Sequence, residues 1–135
     1  MSSEGETPPY DNLLHMRQDM NNAFKDTHGE TCYYLAYTYM RSGKIKYAIE
    51  EARAAVTIFE SLSYDKVKDQ KLQDRLIDTK HIKLRHAWGL VAVVALRMGN
   101  SAEAKKESQH ALAMVRQYDI GPLEGIYLMN RARVD

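Results

Sequence analysis

Cysteine, proline and long apolar runs are scarce in this chain, and each scarcity removes a class of protein. A single cysteine, Cys32, among 135 residues excludes an internal disulfide framework and fits a reducing compartment. The longest nearly unbroken apolar stretch, Ala87 to Leu96, reaches only about 15 Å as a helix, half of what a bilayer core requires. Met1 to Pro9 lacks the apolar centre of a secretory signal, so a soluble, cytoplasmic protein is expected. A formal net charge of +1 creates no overall field to gather nucleic acid or an acidic membrane. Hydrophobic residues at 44% and charged residues at 27% are the balance of one ordinary globular domain rather than a disordered chain.

Signatures of catalysis are missing as well. The five histidines (His15, His28, His81, His86 and His110) form no i, i+4 pair and no H-E-x-x-H, so no helical zinc site is expected. No phosphate loop, dinucleotide fingerprint or G-x-S-x-G occurs. Cys32 falls on the inward face of a helical stripe, where a small core residue is a better reading than a nucleophile. The carboxylates are interleaved with lysines, as on a solvated helix face. The expectation is a protein that is not an enzyme and needs no metal or cofactor.

What the chain does have is helical periodicity. Residues 1–9 are small, polar and end in proline, a composition read as a disordered lead-in to a single domain over 10–135. Leu13, Met16, Met20, Ala23 and Phe24 mark a first amphipathic helix, and His28-Gly29 is read as its break. Cys32, Leu35, Ala36 and Tyr39 line a second helix that stops at Ser42-Gly43. Ile45, Ala48, Ile49, Ala52, Ala55, Val56 and Phe59 form the inward stripe of a third. From Tyr64 the pattern runs without a breaker through Trp88 to Gly99-Asn100, which predicts one extended middle helix of about 30 residues. Ser101 is placed as the N-cap of a fifth helix carrying Ala104, Ala111, Leu112 and Val115. Gly121-Pro122 ends it, and Leu123 to Val134 begins a sixth. The predicted architecture is therefore all-α, with about six helices joined as antiparallel hairpins.

The chain also repeats itself. With Gly43 set against Gly99, Arg41 matches Arg97, Ala48 matches Ala104, and Ala55 matches Ala111. Ahead of the glycines, Cys32 matches Trp88 and Ala36 matches Ala92. Small residues at these offsets let two helices approach closely, large ones fill the space beside them, and glycine supplies the left-handed turn between them.

These offsets resemble the tetratricopeptide repeat, in which a first helix carries a large residue, a Leu, a small residue and an aromatic, and a second carries two alanines seven apart. The first copy is Cys32, Leu35, Ala36, Tyr39, Gly43, Ala48 and Ala55; the second is Trp88, Val91, Ala92, Ala95, Gly99, Ala104 and Ala111. Cys32 stands where the family has Trp, Ala95 where it has an aromatic, and neither copy has the terminal proline. The glycines lie 56 residues apart, roughly 22 more than the family period of about 34, and the excess falls in Tyr64 to Arg85, implying a lengthened first helix or an inserted one in the second unit. An unrelated helical bundle with alanine-rich packing is the competing reading.

The resemblance implies an α-solenoid whose successive first helices line a concave groove for a peptide or a partner helix. Its groove positions, carried over, are Glu30, Tyr33, Tyr37, Met40 and Arg41 in the first unit. In the second they are His86, Gly89, Val93, Leu96 and Arg97. Tyr33 and Tyr37 lie four apart and share a face, and both Tyr and Arg suit binding surfaces. Arg41 and Arg97 equally fit the last turn of any helix, where a cation favours the macrodipole. Members that grip acidic chaperone tails use Lys and Asn where Tyr33 and Tyr37 stand, so that specificity is not expected. A scaffold or adaptor binding an amphipathic helix or hydrophobic peptide is the leading expectation.

Three further readings remain at this level. The groove could be filled by the chain's own Tyr10 to Lys25 or by a second copy, because such arrays usually need about three units or a cap. Tyr64 to Trp88 holds seven Lys or Arg against four Asp, interleaved rather than clustered, so nucleic acid is not an expected partner. Ala111 to Asp119 with Leu123 to Val134 resembles repeats of bacterial regulators that sense peptides or small molecules, which makes a ligand-responsive regulatory module the alternative function.

Overall fold

The computed structural model describes the backbone of residues 9–119 and the side chains of residues 16–118. Within that range the chain forms four helices and no strand: α1 (Pro9–Arg41), α2 (Ile45–Glu60), α3 (Gln70–Arg97) and α4 (Ala102–Asp119). The all-α class is as expected; the helix count is not. The two helices read on either side of His28-Gly29 are one helix of 33 residues. The sixth, Leu123 to Val134, lies outside the described residues, as do residues 1–8. Pro9, assigned to the lead-in, is the first residue of α1, a position where its missing N–H costs nothing.

Gly29 interrupts nothing because it serves packing instead. A Cβ there would stand 2.5 Å from Cε1 of Phe59 on α2, so the absent side chain is what lets α1 lie against that ring. Around it, Cys32, Ala36 and Met40 recur every four residues and are buried. They face Ala48, Ala52 and Ala55 of α2, which are fully buried. Small residues on both helices bring the backbones together, while Ile49, Val56 and Phe59 fill the space beyond. Each of these larger side chains contributes about 1.5–3 kcal/mol through burial.

Both predicted glycine turns are left-handed. Gly43 has φ +79 and Gly99 φ +110, and no other residue with positive φ is recorded among those described. After Gly43, Lys44 N–H donates to the Tyr39 carbonyl at 2.8 Å and closes the end of α1. After Gly99, Ser101 Oγ accepts from Ala104 N–H at 3.1 Å, the N-cap of α4. Two hairpins result, α1–α2 and α3–α4, and α2 packs on α3 to join them, with lighter contact between α1 and α3.

The extended middle helix is present, 28 residues long, but it starts later than expected. Residues 61–69 are not helical, and α3 begins at Gln70. Its start is set by Asp69, whose carboxylate accepts from Lys71 N–H at 3.0 Å and Leu72 N–H at 3.3 Å. The connection is held by the early part of α1. Asn22 donates to the Ser63 carbonyl at 2.6 Å and accepts from Ser63 N–H at 3.3 Å. Gln18 accepts from Lys66 N–H at 3.2 Å and donates to Asp65 at 2.7 Å. Lys25 and Lys80 donate to the carbonyls of Ser61 and Leu62, closing the end of α2. The extra residues between the two glycines are thus divided between this braced connection and a long α3.

Candidate functional site

The first helices of the two hairpins, α1 and α3, form the walls of an open cleft of about 260 Å³. Glu30, Tyr33 and Tyr34 contribute from α1, while Thr79, Ile82, Lys83 and His86 contribute from α3. Phe59 of α2 also lines it; it is 2% exposed and is held in place by the close approach of Gly29. The α3 residues at 79, 82, 83 and 86 recur at three- and four-residue steps and therefore share one helix face.

Aromatic surface dominates the α1 wall. Tyr33 and Tyr34 meet edge to face, with ring centres 5.6 Å apart and planes at 84°. Burial, and then the neighbouring Tyr34 and Tyr37, hold the Tyr33 phenol above its usual range, so it remains a neutral donor and acceptor at physiological pH. Farther along α1, the Arg41 guanidinium lies over the Tyr37 ring, 5.8 Å from its centre.

The charge within the cleft is paired. Lys83 forms ion pairs with Asp26 and with Glu30, the latter at 3.1 Å, and its ammonium lies 6.0 Å from the centre of the Phe59 ring. Burial works against the ammonium, but hydrogen bonds to both carboxylates outweigh it and keep Lys83 above the ordinary lysine range. This bridge ties α3 to α1 and leaves the cleft aromatic and nearly neutral. The arrangement is suited to hold an apolar or aromatic side chain, with Tyr hydroxyls and His86 at hand for a peptide backbone.

The expected groove residues separate into three groups. Tyr33 and His86 line the cleft together with Glu30. Tyr37, Arg41, Val93, Leu96 and Arg97 are exposed and Gly89 half-buried, farther along the same two helices; Val93 and Arg97 follow His86 by seven and eleven residues and stay on its face. Met40 is the correction: it is 7% exposed and belongs to the core, because it continues the i, i+4 stripe begun by Cys32 and Ala36. Tyr10 to Lys25 does not fill the groove either, being the start of α1 itself.

Sequence reasoning missed Tyr34, Phe59, Thr79, Ile82 and Lys83. Stepping back along α3 from His86 by four and seven residues finds Ile82 and Thr79, a signal the family pattern does not contain because its motif starts later. Cys32 is buried, and burial, followed by hydrogen bonding to Glu51 and the charge of Glu51, raises its thiol to about 11. It is a packing residue. Among the described residues no cluster of three or more His, Cys, Asp or Glu could hold a metal ion, and no helix is long and apolar enough to cross a membrane. No family model, curated protein or solved structure matches the chain.

Proposed function

We propose that the chain is a tetratricopeptide-like helical-repeat adaptor that docks a hydrophobic peptide or amphipathic helix in the cleft between α1 and α3. The observation that carries this reading is the position of the cleft. It lies between the first helices of two hairpins, where a solenoid would place its concave face, and it is lined by Tyr33, Tyr34, Phe59, Ile82 and His86.

The packing supports the repeat reading independently. Ala36, Ala48, Ala55, Ala92, Ala104 and Ala111 are all nearly or completely buried, and the matched glycines share positive φ. The second helix of the first hairpin packs on the first helix of the second, the stacking order of a solenoid. Tyr33, Tyr37, Gly89 and Val93 give no clamp for an acidic tail, so an aromatic or aliphatic anchor is the expected key of the partner.

The test is selection of peptides from a random display library on the full-length protein. Ile82→Asp and Tyr33→Ala should each weaken a selected peptide about tenfold or more, a loss of about 1.4 kcal/mol, with far-UV circular dichroism unchanged. Unaltered affinity in both variants would place docking elsewhere.

A further inference from the structure

The face of α1 opposite the core carries a second, independent pattern. Asn22, Gly29 and Ala36 point into the fold and are buried. Diametrically opposite, Met20, Phe24, Thr27, Thr31, Tyr34 and Thr38 are all exposed, alternating at four- and three-residue steps. That is the spacing of a coiled-coil seam. No charged residue occurs in it, although 27% of the chain is charged. Arg17 and Arg41 close its two ends, with Arg41 drawn aside over the Tyr37 ring.

We propose that this seam pairs with the same seam of a second copy, so that α1 packs antiparallel to α1 about a two-fold axis at the level of Gly29. The six seam positions are self-complementary under that operation, while at each end Arg17 falls level with Arg41 of the second copy, two exposed cations. Phe24 meets Tyr34 of the second copy, Met20 meets Thr38, and Thr27 meets Thr31. Two aromatic pairs thereby flank a centre of threonines small enough for close approach, and the helix dipoles oppose one another.

Area selects the occupant. Phe24, Tyr34, Met20 and Met16 are 74%, 65%, 61% and 57% exposed. With the threonines and the neighbouring Leu35 they expose on the order of 700 Å² on each copy, the ceiling on what pairing can bury, against the roughly 800 Å² per partner of an ordinary stable interface. Five of the six seam residues lie outside the cleft, and only Tyr34 belongs to both.

Sedimentation equilibrium of the full chain tests it. At about 50 μM, a concentration where an interface of this size should be populated, the mass should be twice the 15.5 kDa of one chain. Met20→Glu with Phe24→Glu should give a monomer of unchanged helicity. The milder Met20→Ala with Phe24→Ala should raise the dissociation constant at least tenfold while favouring helix. In an oxidised mixture of Thr27→Cys and Thr31→Cys chains, the mixed disulfide should dominate over either homodimer. A monomeric wild type overturns the proposal, as does a dimer indifferent to both double variants. A monomer that instead floats with phosphatidylcholine–phosphatidylserine vesicles assigns the seam to a membrane surface and overturns it too. Preferential Thr27→Cys homodimers would overturn the antiparallel arrangement.

Discussion

Gly29 of α1 and Phe59 of α2, thirty residues apart in sequence, set the distance between their helices: a Cβ on Gly29 would stand 2.5 Å from the Phe59 ring. Phe59 is 2% exposed and also lines the cleft, so the ring cannot yield without disturbing the wall on which a partner would rest. A glycine that composition marks as a helix breaker is therefore a packing residue that also fixes one wall of the cleft.

Gly29→Ala should destabilise the protein by about 2 kcal/mol, through overpacking that outweighs the better helix propensity of alanine. Gly89→Ala is the contrast. It lies inside α3 with nothing within 4 Å of a new Cβ, and should stabilise by about 0.5–1 kcal/mol. Urea unfolding of the two variants checks both signs.

Gly99, with φ +110 and open space around it, is constrained by backbone conformation alone. Gly99→Leu should cost about 1–3 kcal/mol, whereas Lys68→Ala, on an exposed residue of the connection, should stay within about 0.5 kcal/mol of wild type. Equal melting temperatures would remove the left-handed turn from the description of the second hairpin.

Cys32 should resist alkylation in the native state. Its thiol is raised to about 11 by burial, then by Glu51, so the thiolate is scarce at pH 8. Iodoacetamide labelling should accelerate by orders of magnitude on addition of denaturant. Rapid native labelling would mean that α1 and α2 separate easily.

Lys83 joins α3 to Asp26 and Glu30 of α1, and Lys83→Met should cost about 1–2 kcal/mol at neutral pH. Its folded pKa lies above the ordinary value of 10.5. The contribution is therefore complete below that value and is lost only as pH rises through the folded pKa. The wild-type advantage over Lys83→Met in urea unfolding should persist from pH 6 to pH 9 and shrink in stronger alkali.

Features encoded locally were legible in the sequence. Gly43 and Gly99 declare their turns because few other residues adopt positive φ, and Ser101 declares a cap. The alanines of α1, α2 and α4 reveal helix contact through their spacing. Features that depend on distant partners were not. Gly29 reads as a breaker unless Phe59 is known to lie over it. Tyr64 and Val67 sit at helix-compatible intervals, yet hydrogen bonds with Gln18 and Asn22, more than forty residues away, hold that stretch as a connection. Met40 reads as a groove residue by family position and as a core residue by its interval from Ala36; the interval prevails. Three of the eight residues lining the cleft, Glu30, Tyr33 and His86, were legible. The part made by Thr79 and Ile82 depends on how far α3 extends toward its N-terminus.

The most direct test of the adaptor role is a chemical-shift map of the 15N-labelled protein during titration with a peptide selected on it. If the α1–α3 cleft is the docking site, the largest changes fall on Tyr33, Tyr34, Thr79, Ile82 and His86, with the outer residues of α2 and α4 unmoved. Changes centred on α2 or α4, with the cleft silent, would contradict the proposed function.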